Sequence, residues 1–151
     1  MYPDITNYRE NYVLNTVKEQ GYIHLGLGCR IYSDKPEEDI RTINNATIQF
    51  WSIISLLAIN ELHHRIKENN LEEDIKITSS IYDAIYFEIR EDSEIIKWLN
   101  KNVVETMTVE VFKNEIIHNE CELDIGRNWS DVTTLQNNVS IEDIDKILKE
   151  I

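Results

Sequence analysis

"SSIYDAIYFEI", residues 79–89, is the stretch on which the fold depends. Isoleucine and tyrosine lie on both sides of Asp83 and phenylalanine follows it, and such residues favour strands. The longer segment "DIKITSSIYDAIYFEI" therefore predicts a β-hairpin with Asp83 at the bend. Two-residue hairpin turns favour Asn-Gly or Asp-Gly, because glycine accepts a positive φ and alanine does not. Here the chain is expected to turn on Asp83-Ala84. Either this is an ordinary turn with poor chemistry, or Asp83 is held at the tip to do something.

Working outward, "PDITNYRENYVLNTVKEQ" (residues 3–20) predicts a helix. Pro3 suits its first turn, Ile5, Tyr8, Tyr12 and Val13 lie near one stripe, and Gly21 stops it. "GYIHLGLGCRIYS" has the alternation and central glycines of a hairpin. Pro36 followed by Glu37, Glu38 and Asp39 marks the start of a helix expected to run to Asn69, with an apolar middle buried on most sides. Asp92 and Ser93 can cap a further helix over residues 93–113, and "CELDIG" reads as a short strand. "SIEDIDKILKEI" opens on a capping-box-like Ser140 and Asp143 and carries Ile141, Ile144, Ile147, Leu148 and Ile151 at helical spacing. The polar stretch 130–139 is expected to tether this last helix loosely. The order of elements predicts an α+β fold, a small antiparallel sheet with the Asp83 hairpin packed by helices.

The 151 residues suffice for a real core, and 42% hydrophobic with 28% charged residues places the chain among globular proteins. The longest apolar run, Phe50 to Ile59, is too short to span a bilayer, so no membrane partner is expected. The N-terminus has no basic segment followed by an apolar one, as a secretory signal would. Cys29 and Cys121 lie far apart without a CxxC, which points to free thiols and a cytoplasmic setting. Twenty-eight acidic against 15 basic residues give a net charge of −13. That balance argues against a free-standing nucleic-acid binder, but it is compatible with a fragment whose partner supplies the positive charge.

Arg41, Asn45 and Gln49 stand four apart on the long helix, share one face and all carry donors. A row of donors can follow the DNA minor groove, where every base pair offers an acceptor. From spacing alone, a solvated stripe is the simpler reading. Asp83 could ligate a hard cation such as Mg²⁺, with Tyr82 beside it as a packing or hydrogen-bonding group, although one carboxylate is not a metal site and most turn aspartates are structural. His63 and His64 are adjacent and form no chelate, and Glu61 with His64 lacks a third ligand. Gly26-x-Gly28 has no following helix and is no phosphate loop. Ser79 and Ser80 lack matching His and Asp partners. Trp51 and Trp98 fit core roles.

Taken in order, these stretches resemble the C-terminal part of the palm of family A DNA polymerases, the bacterial DNA polymerase I type and its phage relatives. "YPDITNYRENYVLNTVKEQGYI" resembles the segment after the fingers, and "GCRIY" the family's "GRRxY" hairpin, with Arg30 kept and Cys29 in place of the first Arg. "RTINNATIQ" resembles R-x-x-x-N-A-x-x-Q, matched by Arg41, Asn45, Ala46 and Gln49. "IYDAIYFEI" resembles the third polymerase motif, and "IGRNW" the closing G-x-N-W, matched by Gly126, Asn128 and Trp129. The resemblance covers residues 2–131 and implies a palm segment over 1–131, with 132–151 as tether and extra helix.

The resemblance implies that Asp83 is a catalytic metal ligand in a two-Mg²⁺ site and that Arg41, Asn45 and Gln49 contact the primer-template minor groove. Arg30 and Tyr82 would join the DNA contacts. The family's His before the Asp is Tyr82 here, the acid after it is Ala84, and Phe50 and Trp51 replace a Gly-Thr pair, so helix packing there must differ. The first polymerase motif, with the other catalytic Asp, does not occur, nor do the fingers. The chain is therefore expected to be inactive alone. Its expected partners are a primer-template, a deoxynucleoside triphosphate held by another chain, and that N-terminal polymerase chain with the first Asp and the fingers. A start at Met1 just past the fingers suggests a split gene, phage-encoded and acting in the bacterial cytoplasm, although an excised fragment or a remnant would read the same. Loss of the neighbouring parts exposes apolar surface, so self-association is expected. The alternative is a non-catalytic, decayed palm that binds another protein. An unrelated α+β protein would need every ordered match to be coincidence.

Overall fold

Gly21 ends the first helical run in the left-handed region at φ 80°, where its amide bonds to the Val17 carbonyl at 2.8 Å. Only glycine takes that conformation at no steric cost, and the chain reverses there into a strand. This is a computed structural model that describes residues 3–26, 28–108 and 121–151, with the backbone alone for Pro3, Ile5, Ile48 and Trp51. It forms two compact units, residues 1–52 and 53–151.

In the first unit the opening run is α1 (Pro3–Asn7), a π-helical stretch Tyr8–Val13, and α2 (Leu14–Gln20). The expected stripe is partial. Val13 is buried, but Tyr8 and Tyr12 are exposed and stack on each other with centroids 5.3 Å apart. Strands β1 (Tyr22–Gly26) and β2 (Cys29–Tyr32) pair antiparallel, with Tyr22 opposite Tyr32 and Ile23 opposite Ile31. Alternation turns Ile23, Leu25 and Ile31 toward Val13, Val17 and Ile43 of a small core. Helix α3 (Pro36–Gln49) begins at its proline, and the Ser33 hydroxyl just before it donates to the Asp39 carboxylate at 2.7 Å.

The long helix expected over 36–69 is not continuous. It breaks into α3, a 3₁₀ stretch Phe50–Ser52, and α4 (Ile53–Glu68). The break falls where two bulky rings enter the sequence, and the boundary between the compact units falls there too. Nor is the apolar middle buried on most sides. In α4, Ile54, Ser55, Ala58, Leu62 and Ile66 are buried, while Leu56 and Leu57 are exposed.

In the second unit, β3 (Ile75–Ile81) and β4 (Ala84–Ile89) form the central hairpin, α5 (Ser93–Met107) follows, and α6 (Ile141–Glu150) closes the chain. Asp92 caps α5 by accepting from the amides of Glu94 and Ile95 at 3.0 and 3.2 Å. α5 ends at Met107 with Thr108 as its C-cap, short of the expected residue 113, and residues 109–113 lie outside the described residues. Helices α4 and α5 are clamped by Arg65, which donates to Glu61, Asn102 and Glu105 at 2.9, 2.8 and 2.7 Å. The core gathers Leu62, Ile66, Ile75, Ile96, Leu99, Val103, Leu123, Leu135 and Ile144, with Trp98 packed against it. Each such fully buried aliphatic side chain contributes about 1.5–3 kcal/mol.

The α+β class is as expected, but the described strands make three separate two-stranded antiparallel sheets rather than one. The third was not anticipated in full. β5 (Leu123–Asn128) pairs with β6 (Asp131–Leu135), which occupies the stretch expected as a tether. Residues 132–151 are integral to the second unit, for Leu135 is 1% exposed and Ile144 0%. The compact units therefore do not follow a boundary at residue 131. Ser140 caps α6, its hydroxyl accepting from the Asp143 amide at 3.2 Å. Lys146 and then the Ser140 hydroxyl hold the Asp143 carboxyl below the usual carboxylate range.

Ile144→Ala is expected to destabilise the chain by about 2–5 kcal/mol in urea unfolding, as deletion of a core side chain does. A change within about 0.5 kcal/mol, the range of exposed substitutions, would show that α6 is not part of the fold.

Candidate functional site

The hairpin tip begins with register. Ile75 pairs with Ile89 and Ile77 with Phe87, which sets these four on the core face. A bulge then intervenes between Ile77 and Ser79, and the Thr78 hydroxyl donates to the Tyr86 carbonyl at 3.1 Å. One extra residue reverses the facing of everything beyond it on β3. Ser80 now pairs with Ile85 and Ile81 with Ala84, so Ile81 turns away from the core and is 46% exposed.

The closing pair Ile81–Ala84 makes the two-residue loop Tyr82-Asp83, not Asp83-Ala84 as the sequence suggested. Ala84 belongs to the ladder and needs no special φ. The strained residue is Tyr82, at φ 56°, while Asp83 is not in the positive-φ region. A positive φ at the first loop residue alone is the sign pattern of a type II′ turn, whose first position favours glycine. A tyrosine there costs about 1–2 kcal/mol. Its ring is 87% exposed, and the Asp83 side chain is exposed as well. Beneath the tip, the buried Ser55 of α4 donates its hydroxyl to the Asp83 main-chain carbonyl at 3.2 Å.

The G-x-N-W segment has a local physical account. A Cβ on Gly126 would lie 2.3 Å from the Asp131 carbonyl oxygen, so the β5–β6 bulge admits only glycine. The Asn128 side-chain oxygen accepts from the Ser130 and Asp131 amides at 3.0 and 2.9 Å and from the Ser130 hydroxyl at 2.9 Å, which builds the turn. Trp129 then stacks on Tyr86 of β4, centroids 4.7 Å apart and planes at 28°, on the face that Ile81 also joins. Arg127 pairs with Glu91 at 2.8 Å.

In the first unit, Arg41, Asn45 and Gln49 are all exposed on α3, and among the described residues none of their side chains has a hydrogen-bond partner. Arg30 is exposed on the outer face of β2, its guanidinium 4.7 Å from the centroid of Tyr22. The second unit brings Tyr82 and Asp83 together with Ser55, while the donor row and Arg30 belong to the first.

Asp83 offers a hard carboxylate oxygen without an ion-pair partner among the described residues, which suits one ligand of a Mg²⁺ ion. It does not make a site alone. Among the described residues, no group of three or more His, Cys, Asp or Glu could hold a metal. His63 and His64 present rings 6.2 Å apart. Both cysteines are free, and burial, with Glu122 nearby, pushes the Cys121 thiol up. Among the described residues no helix is long and apolar enough to cross a membrane.

Sequence reasoning missed Ser55, the positive φ of Tyr82 and the Tyr86–Trp129 stack. Only Ser55 left a signal, as a hydroxyl residue within the apolar run Phe50–Ile59. In comparisons with known proteins, no family model, curated protein or solved structure matches this chain.

Two substitutions probe this geometry by equilibrium denaturation. Tyr82→Gly is expected to stabilise the chain by about 1 kcal/mol, since glycine carries no penalty at that φ and little packing is lost. Gly126→Ala is expected to destabilise it by about 1–3 kcal/mol or more through the clash with the Asp131 backbone. Changes of the opposite sign would mean that the tip is unstrained or that the bulge is open.

Proposed function

We propose that this chain is the C-terminal palm portion of a family A DNA-directed DNA polymerase, a nucleotidyltransferase of DNA replication completed in trans. The other chain would supply the first catalytic aspartate, the fingers and the grip on the deoxynucleoside triphosphate. The observation that carries the reading is the outward-facing Asp83 on a two-residue hairpin tip, flanked in sequence by the ordered polymerase-like motifs. A short tip between paired strands is a rigid place for a metal-binding carboxylate.

In such an enzyme two Mg²⁺ ions activate the primer 3′-hydroxyl and stabilise the leaving pyrophosphate. Asp83 would present one of the shared carboxylates. Arg41, Asn45 and Gln49, exposed and without internal partners, would donate to minor-groove acceptors and so check base-pair shape, with Arg30 and Tyr82 adding contacts to the DNA. The −13 charge fits a part whose basic DNA-gripping surfaces lie on the partner.

A second reading draws on the exposed Leu56, Leu57, Ile81, Tyr82 and Trp129 of the second unit. In it the chain is a non-catalytic palm-like module that binds another protein through such exposed apolar side chains. A tight complex without polymerase activity would favour it.

The test mixes the chain with the product of a neighbouring reading frame that ends near a polymerase fingers helix, and follows Mg²⁺-dependent primer extension. The mixture is expected to extend primers while neither chain does alone, and Asp83→Ala is expected to lower the rate at least a hundredfold or so. An active mixture that tolerates Asp83→Ala would exclude the role given to Asp83.

A further inference from the structure

Tyr82 is held where a tyrosine does not rest unaided. A bulky residue at φ 56° is a genuine outlier, and an 87% exposed ring gains no packing in return. Such backbone persists only where its surroundings over-determine it. Ladder closure at Ile81–Ala84 acts on the loop from its two ends. The remaining restraint comes from 28 residues earlier in the chain, where the Ser55 hydroxyl, in a residue 2% exposed, bonds to the Asp83 carbonyl. That bond fixes the plane of the peptide leaving Asp83. With the ladder holding both ends, the leftover distortion falls on Tyr82. Ser55 lies on the buried face of α4 with Ile54, Ala58 and Leu62, so losing the Asp83 acceptor would leave its hydroxyl without a partner in an apolar setting.

We propose that Ser55 is a positioning residue. By holding the Asp83 carbonyl it keeps the Tyr82-Asp83 tip in one strained conformation and so fixes the direction in which the Asp83 Cβ leaves the backbone. The assignment of a purpose rests on the reading of Asp83 as a metal-binding group; the latch itself does not.

The test uses the full chain, its Ser55→Ala and Tyr82→Gly variants and the double variant, observed by amide NMR. Ser55→Ala is expected to speed hydrogen exchange at Ala84, whose amide shares a peptide with the latched Asp83 carbonyl, roughly fivefold or more, the equivalent of one lost hydrogen bond, while α5 is unchanged. In the Tyr82→Gly chain the same change is expected to have an effect of about twofold or less, because glycine removes the strain that the latch sustains. Ser55→Cys, which keeps the volume but donates weakly, is read in the same way. Equal effects in both backgrounds, or none at the tip, would overturn the latch. In the two-chain mixture, Ser55→Ala is expected to lower Mg²⁺-dependent primer extension by about threefold or more, in step with the lost bond. Intact exchange coupling in the chain, with an active mixture that tolerates Asp83→Ala, would overturn the metal reading of Asp83, and with it the purpose given to Ser55.

Discussion

The closure of the β3–β4 hairpin over Tyr82 and Asp83 sets the register of the second unit. Because Ile81 pairs with Ala84 and one bulge follows at Thr78, Ile75, Ile77, Ile85, Phe87 and Ile89 all reach the core side. A slip of one residue would send that set to solvent and bring Ser79, Tyr86 and Glu88 inward. Helices α4 and α5 pack on that face, and α6 joins through Ile144. The tip, though exposed, thus governs the arrangement of the buried layer beneath it. The bulge also gives the hairpin two unlike faces, one feeding the core and one carrying Tyr86 to its stack with Trp129.

Much of this was legible in the residues. The caps at Gly21, Asp92 and Ser140 were readable because cap chemistry is local, and the first two hairpins because their strands alternate or are rich in β-branched residues. What was hidden depended on contacts distant in sequence. β6 reads "DVTTL", with Val132 exposed and Leu135 the one fully buried anchor, so its pattern is too thin to separate from a loop. The bulge at Thr78 leaves no mark in composition, and the Ile75–Ile89 register continued without it would centre the turn on Tyr82 rather than on Tyr82-Asp83. The break at Phe50–Ser52 was foreshadowed by the two rings, but helical periodicity on both sides disguised it.

The candidate site divides along the same line. Asp83, Arg41, Asn45 and Gln49 stood out by residue type and spacing but were given site roles only by the resemblance, and their exposure leaves them available for outside partners. The pieces that hold the tip, Ser55 and the strained Tyr82, are products of tertiary structure. Three residues of the G-x-N-W segment also have roles here that need no substrate. Gly126 allows backbone approach, Asn128 builds a turn and Trp129 packs on β4. A motif match at these positions therefore speaks for a shared local fold more than for shared chemistry. Function is better sought in the residues whose local structure does not explain them.

Asp83 is the strongest of those. A loop chosen for stability alone would place glycine where Tyr82 stands, and would need no buried hydroxyl aimed at its carbonyl. Keeping a tyrosine at positive φ there costs about 1–2 kcal/mol, a sizeable share of the stability of a chain this size. Strain of that order is retained where it serves pre-organisation. In a chain with 28 acidic residues, one more carboxylate in solvent would be unremarked. Asp83 differs in its backbone, whose carbonyl is held by a buried helix residue, while its carboxylate is exposed and without an ion-pair partner among the described residues. Fixing a lone anion in space stabilises nothing by itself. It becomes favourable where a binding partner must be met at one defined point.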